Sequence, residues 1–186
     1  MAFDINEIRN QLTFGGARAS LFEVSITNPV NTTADSKISF MGRASSLPAS
    51  NLGTINVPYF GRQVKFAGNR TFEQWAVTVV NDEDFLVRNA LEDWMSSINT
   101  HEGNINAIGG GVPALGGNYK SQAQVNQYSK SGSILRGYNF NGLFPVSLSA
   151  ITLDWDSEEI QTFEVQFEYD WWNVSTGITG DAGTNV

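Results

Sequence analysis

Between Phe163 and Trp171 every second side chain is apolar: Phe163, Val165, Phe167, Tyr169 and Trp171 alternate with Glu164, Gln166, Glu168 and Asp170. A period of two places the first set on one face of a sheet and the second on the other. A chain carrying this segment must therefore build a sheet with one covered face. Shorter runs of the same kind read as strands at Leu21 to Thr27, Ile38 to Ala44, Thr54 to Phe60, Gln63 to Ala67, Gln74 to Val80, Gln122 to Tyr128, Ile134 to Leu143 and Ser147 to Leu153. Most of the chain reads as antiparallel β, with Gly61 in Tyr59-Phe60-Gly61-Arg62 supplying the permissive backbone of a tight turn.

One segment breaks the pattern. Val87, Leu91, Trp94, Met95 and Ile98 recur at helical spacing, with Arg88, Asn89, Glu92, Asp93 and Ser96 on the opposite side. Asn81 or Asp82 can cap this helix, and Asp82, Glu83 and Asp84 complement its dipole, so the expected span is about residues 83–98. Pro29 to Ser36 and His101 to Asn118 read as loops, the second carrying Gly109-Gly110-Gly111 and Gly116-Gly117 around Pro113.

The polarity of the chain comes from an unusual source. Of 186 residues only 16% are charged, below the ~25% of an ordinary soluble protein; Asn, Ser and Thr supply the rest. A chain that keeps charges off its surface often buries that surface elsewhere. The charge that exists is uneven: residues 1–75 hold seven bases and five acids, residues 76–136 four and six, and residues 137–186 no base and eight acids. This distribution argues against a duplex reader, which needs a clustered basic face, and permits head-to-tail contacts between copies. The absence of cysteine excludes disulfides, thiol catalysis and Cys-ligated metals. Met1 to Gln11 mixes Asp4, Glu7 and Arg9 among apolar residues, unlike a signal peptide, and no stretch approaches the ~18 apolar residues of a membrane span, so no membrane insertion is expected. The N-x-[S/T] matches at Asn31, Asn69 and Asn173 read as chance.

No constellation supplies an active site. Asp154, Asp156, Glu158 and Glu159 lie within six residues beside Trp155, the pattern of a solvated turn rather than of two carboxylates facing one glycosidic bond. As a calcium loop the run fails at its sixth position, where Glu159 replaces the required Gly. His101 is the sole histidine, and the glycines from Gly109 to Gly117 lack the strand, helix and Lys of a phosphate loop. Catalytic, cofactor and metal residues are accordingly none, and binding or self-assembly remains.

Two long runs then narrow the reading. GRQVKFAGNRTFEQWAVTVVNDE, from Gly61 to Glu83, and LDWDSEEIQTFEV, from Leu153 to Val165, resemble the central and C-terminal signatures of tail tube proteins from contractile-tailed phages of the T4 type; RASSLPA, from Arg43 to Ala49, is a third, weaker match. The likeness covers about residues 18–172. It implies a β-sandwich or barrel of two packed antiparallel sheets with one flanking helix, in a single domain over residues 1–172. It also implies hexameric rings stacked head to tail into a hollow inner tube within a contractile sheath, a conduit through which DNA passes without specific binding. Expected partners by this resemblance are further copies of the chain, the tail sheath protein, the tape-measure protein, the baseplate hub and the tail terminator; the expected location is the virion tail, after assembly in the host cytoplasm. Relative to the T4 pattern, the polar segments near 28–37 and 103–117 look inserted and residues 173–186 look like a flexible added tail. A secretion-system-type tube delivering effectors and a carbohydrate-binding β-sandwich stay open as alternatives. If the chain forms a tube, the acidic side of the alternating strand, Glu164, Gln166, Glu168 and Asp170, is the expected lining of the bore.

Overall fold

The computed structural model describes residues 5–12, 16–103 and 119–177. The elements are α1 (Ile5–Gln11), β1 (Phe22–Ile26), a 3-10 turn (Thr32–Ala34), α2 (Asp35–Met41), β2 (Gly42–Ser45), β3 (Asn51–Tyr59), β4 (Arg62–Thr71), β5 (Trp75–Val80), α3 (Leu86–Ile98), β6 (Ser121–Tyr128), β7 (Ile134–Leu148), β8 (Thr162–Glu168) and β9 (Trp171–Gly177). The strands pair antiparallel in the order β1-β6-β7-β8-β5-β2, with β9 also on β7, while β3 and β4 pair only with each other.

Strand β7 organises the body because it is long enough to serve two sheets. Its first part lies between β6 and β9, and its last part, Phe144 to Leu148, pairs with β8. The result is two four-stranded halves, β1-β6-β7-β9 and β7-β8-β5-β2, folded onto each other around an apolar core. Pro145 sits where the β7–β8 register shifts, a place where the missing N–H breaks no regular ladder. The core contains Val24, Ile26, Trp75, Val77, Val79, Val125, Phe140, Leu143, Phe163, Val165 and Phe167, all buried. The mainly β character matches the expectation from periodicity, and the two sheets match what the resemblance implies.

Helix α3 closes one side by burying Val87, Ala90, Leu91 and Trp94. It starts three residues later than expected. Phe85 takes a left-handed backbone, φ 50°, and Asp84 accepts from the Leu86 N–H, while Asp82 and Asp84 are drawn to Lys37 of α2. Asp82 and Asp84 thus tie α2 to the start of α3 instead of forming the first helical turn.

Other expectations change. Ile38 to Ala44 is not one strand: α2 occupies Asp35–Met41, and the apolar alternation of Ile38 and Phe40 reflects opposite sides of that helix, Ile38 buried and Phe40 exposed. The segment 28–37, read as a polar loop, holds the 3-10 turn and the start of α2. Asn28 is buried, donates to the Ala90 carbonyl at 2.8 Å and accepts from the Val30 and Asn31 N–H groups, fastening the chain to α3. Ser147 to Leu153 forms no separate strand, because β7 continues to Leu148 and residues 152–160 are an exposed loop. The alternating segment 163–171 is broken after Glu168, and residues 173–177, expected in a flexible tail, belong to β9. Most of 103–117 and all of 178–186 lie outside the described residues.

Candidate functional site

Strand β8 keeps the promise of its sequence along its own length: Phe163, Val165 and Phe167 point into the core, and Glu164, Gln166 and Glu168 share the outer face. That face continues sideways through Thr78 and Ala76 of β5, opposite Glu164 and Gln166, and Ser147 of β7, opposite Gln166. Gln166 donates to Glu164 at 3.1 Å and Gln74 to Glu168 at 2.9 Å. Among the described residues neither carboxylate lies within ion-pair distance of a base.

Asp170 does not join them. It follows the end of β8, its N–H donates to the Asn141 carbonyl, and its carboxylate takes Lys120 Nζ at 2.7 and 2.8 Å. Gly142, at φ 71°, leaves the space it fills: a Cβ there would overlap the Asp170 carboxylate. Between Glu168 and Asp170, Tyr169 turns back into the core against Phe140. Burial pushes its hydroxyl up to about 12, with the charges of Glu168 and Glu73 adding to the effect.

The other half of the body presents a second polar face that the sequence reading missed. Ser25, Gln124, Asn139 and Asn173 stand side by side across β1, β6, β7 and β9, with Gln122 and Asn141 as the neighbouring row. Its signal is the Ser-Gln-Ala-Gln-Val-Asn-Gln run from Ser121 to Gln127, in which amides alternate with core residues. Neither face carries a basic side chain at these positions.

The most exposed element is the β3–β4 hairpin. Phe60 (φ 41°) and Gly61 (φ 81°) both take positive φ at its tip, as a two-residue turn matched to strand twist requires. The register pairs Ile55 with Phe66, Val57 with Val64 and Tyr59 with Arg62, so these six share one face, and the five apolar side chains among them are exposed. The other face carries Thr54, Asn56, Pro58, Gln63, Lys65 and Ala67. Among the described elements, β3 and β4 pack on nothing but each other. The root of the hairpin is nevertheless anchored: Trp75 donates its indole N–H to Ser45 Oγ and the Ser46 carbonyl, each at 3.0 Å, and Trp172 donates to the Ala49 carbonyl at 3.1 Å.

The remaining sequence candidates stay apart. Asp154, Asp156, Glu158 and Glu159 lie in the exposed loop, where the Asp156 N–H bonds Asp154, and His101 lies in an exposed turn. Among the described residues no three His, Asp or Glu side chains gather as metal ligands, and no helix is long and apolar enough to cross a membrane.

These surfaces belong to a known family of chains. The profile of the phage tail tube protein family matches residues 11–175. The chain belongs to that family. The tail tube protein gp19 of Enterobacteria phage T4 is 38% identical over 158 residues, covering 84% of this chain and 90% of that one. In solved structures, a chain of the anti-feeding prophage tube-terminating cap superposes with a TM-score of 0.65 at 18% identity, covering 95% of this chain and 100% of the other. A chain of the sheath-tube complex of an extracellular contractile injection system, in its extended state, gives 0.60 at 16%, covering 94% and 99%. At that identity the likeness concerns the fold. The chain is thus a phage tail tube protein, a structural component of the virion tail and not an enzyme.

Proposed function

We propose that copies of this chain close into six-membered rings that stack head to tail into the hollow inner tube of a contractile tail, and that the viral genome leaves through its bore. The observation carrying this reading is the hairpin: five exposed apolar side chains on one face of a ribbon that the other described elements leave uncovered. Exposed apolar surface of this extent marks an interaction site. The body supplies the other requirement, since among the described residues the β7-β8-β5-β2 half ends in unpaired edges at β2 and at the outer side of Phe144 to Leu148. Pairing these edges between neighbours removes both and gives the heterologous contact from which a ring closes.

Closure through that half turns Glu164, Gln166 and Glu168 toward the bore, with Asp170 beside it, held by Lys120. A wall with no unpaired base at these positions keeps a polyanion moving, because there is no free cation to trade for its counterions. Closure through the other half puts the amide face of Gln124, Asn139 and Asn173 in the same place, equally free of bases. Sheath, tape-measure, baseplate hub and terminator contacts, and assembly in the host cytoplasm, complete the reading. They are supported by fold neighbours drawn from a sheath-tube complex and a tube-terminating cap. One of those neighbours belongs to a contractile injection system, so a tube delivering effectors is the second reading; the greater identity to a phage protein favours genome passage.

Electron microscopy of the purified chain tests assembly. Six-fold rings or tubes are expected. A monodisperse monomer at every concentration, with and without preformed baseplates as initiators, overturns the proposal.

A further inference from the structure

The loop before β8 is the counterpart of the hairpin in every respect that governs docking. Residues 152–160 are exposed without interruption, and they include Leu153, Ile160 and a completely uncovered Trp155. The same loop carries Asp154, Asp156, Glu158 and Glu159 and no base; the hairpin, residues 51–71, carries Arg62, Lys65 and Arg70 and no acid. The loop is exposed throughout and the hairpin everywhere but at Gly68, so neither covers the other within one chain. Hairpin against hairpin sets three bases against three, and loop against loop four acids against four. Each self-pairing brings like charges together, whereas the mixed pairing neutralises both.

We propose that the apolar face of the hairpin of one copy docks on the 152–160 loop of the next. Trp155 packs on the strip formed by Val57, Tyr59 and Val64, and Arg62, on that same face beside Tyr59, meets the loop carboxylates. Leu153 and Ile160 extend the apolar contact toward Ile55 and Phe66. Because donor and receiver are different surfaces, the contact is heterologous and propagates from copy to copy instead of ending in a pair. The anchoring of the hairpin root by Trp75 and Trp172 fixes the direction in which each copy reaches out. This proposal rests on the tube reading above and names the receiving surface for its inter-subunit contact.

The absence of cysteine from the chain makes the test clean. Val57→Cys and Trp155→Cys are introduced singly and together, with circular dichroism confirming that each variant keeps the wild-type fold, and assembled material is oxidised mildly. The double variant should run as a ladder beyond the dimer on a non-reducing gel, and each single variant as monomer. In parallel, Arg62→Glu should raise the concentration needed for assembly about tenfold, and adding Asp154→Lys with Asp156→Lys should restore it. Tubes that form without a ladder, or a charge swap that restores nothing, overturn this docking and leave the tube standing. Wild-type chain that forms neither rings nor tubes, even on supplied baseplates, overturns both.

Discussion

Trp75 of β5 lies nearly flat on Phe140 of β7, with ring centroids 4.3 Å apart and planes 21° from parallel. This stack joins the two halves of the body, and Phe167 closes on the same indole at 5.6 Å. Both phenylalanines are fully buried. Replacing Phe140 or Phe167 by Ala should cost about 3–5 kcal/mol in urea unfolding of the monomer, because lost transfer energy and a residual cavity add. A cost within about 0.5 kcal/mol would mean that these rings do not form the core.

The hairpin separates folding from assembly. Gly61→Val places a β-branched side chain at φ 81°, a backbone region costly for such residues. The hairpin packs on no other described element, so the melting temperature of the body should stay unchanged while tube formation falls. A matching loss of both in calorimetry and sedimentation would tie the hairpin to the core instead.

The outer face of β8 is open to a charge test. Glu164→Lys with Glu168→Lys should leave rings and tubes intact under the microscope yet slow genome release from infecting particles. If release is normal, Gln124→Lys with Asn139→Lys asks the same question of the amide face. The face whose reversal stalls DNA lines the bore.

Tyr169 predicts an alkaline transition. Its hydroxyl is held neutral by burial up to about 12, above the ~10 of an unfolded tyrosine. Since the folded value is the higher one, the associated stability is complete below pH ~10 and is lost as pH rises through the folded value. Unfolding midpoints measured from pH 9 to 12 should fall less steeply for Tyr169→Phe than for wild type; parallel curves would remove Tyr169 as the cause.

Gly142→Ala should destabilise the monomer by about 1–3 kcal/mol, since the new Cβ is strained at positive φ and collides with the Asp170 carboxylate. Adding Asp170→Ala should recover part of the loss, measured by chemical denaturation, because it relieves the collision and leaves the backbone strain.

Periodicity revealed the sheets because burial on one face writes itself into every second residue, as in β8. It failed where a second force outweighed the period. Ile38 and Phe40 alternate as in a strand, yet they occupy a helix held by Lys37 pairing with Asp82 and Asp84. The same pairing holds Asp82 and Asp84 outside the first turn of α3. Tyr169 and Trp171 continue the alternation of β8, but the chain turns between them, with Asp170 bonded to Asn141 and Lys120. The hairpin strands were visible, whereas their lack of a covering partner among the described elements was not, because an apolar face reads alike whether it meets its own core or another copy. The face of Glu164, Gln166 and Glu168 was legible, and the amide face was overlooked because its signal is carried by neutral side chains.

Fifteen consecutive residues, Ile134–Leu148, run through both layers of the body. Two sheets joined only by side-chain packing can slide over one another under shear. Here sliding would have to stretch a covalent backbone held by ladders along its length, so each subunit responds to an axial push as one stiff block, and the compliance of the whole column is left to the joints between blocks.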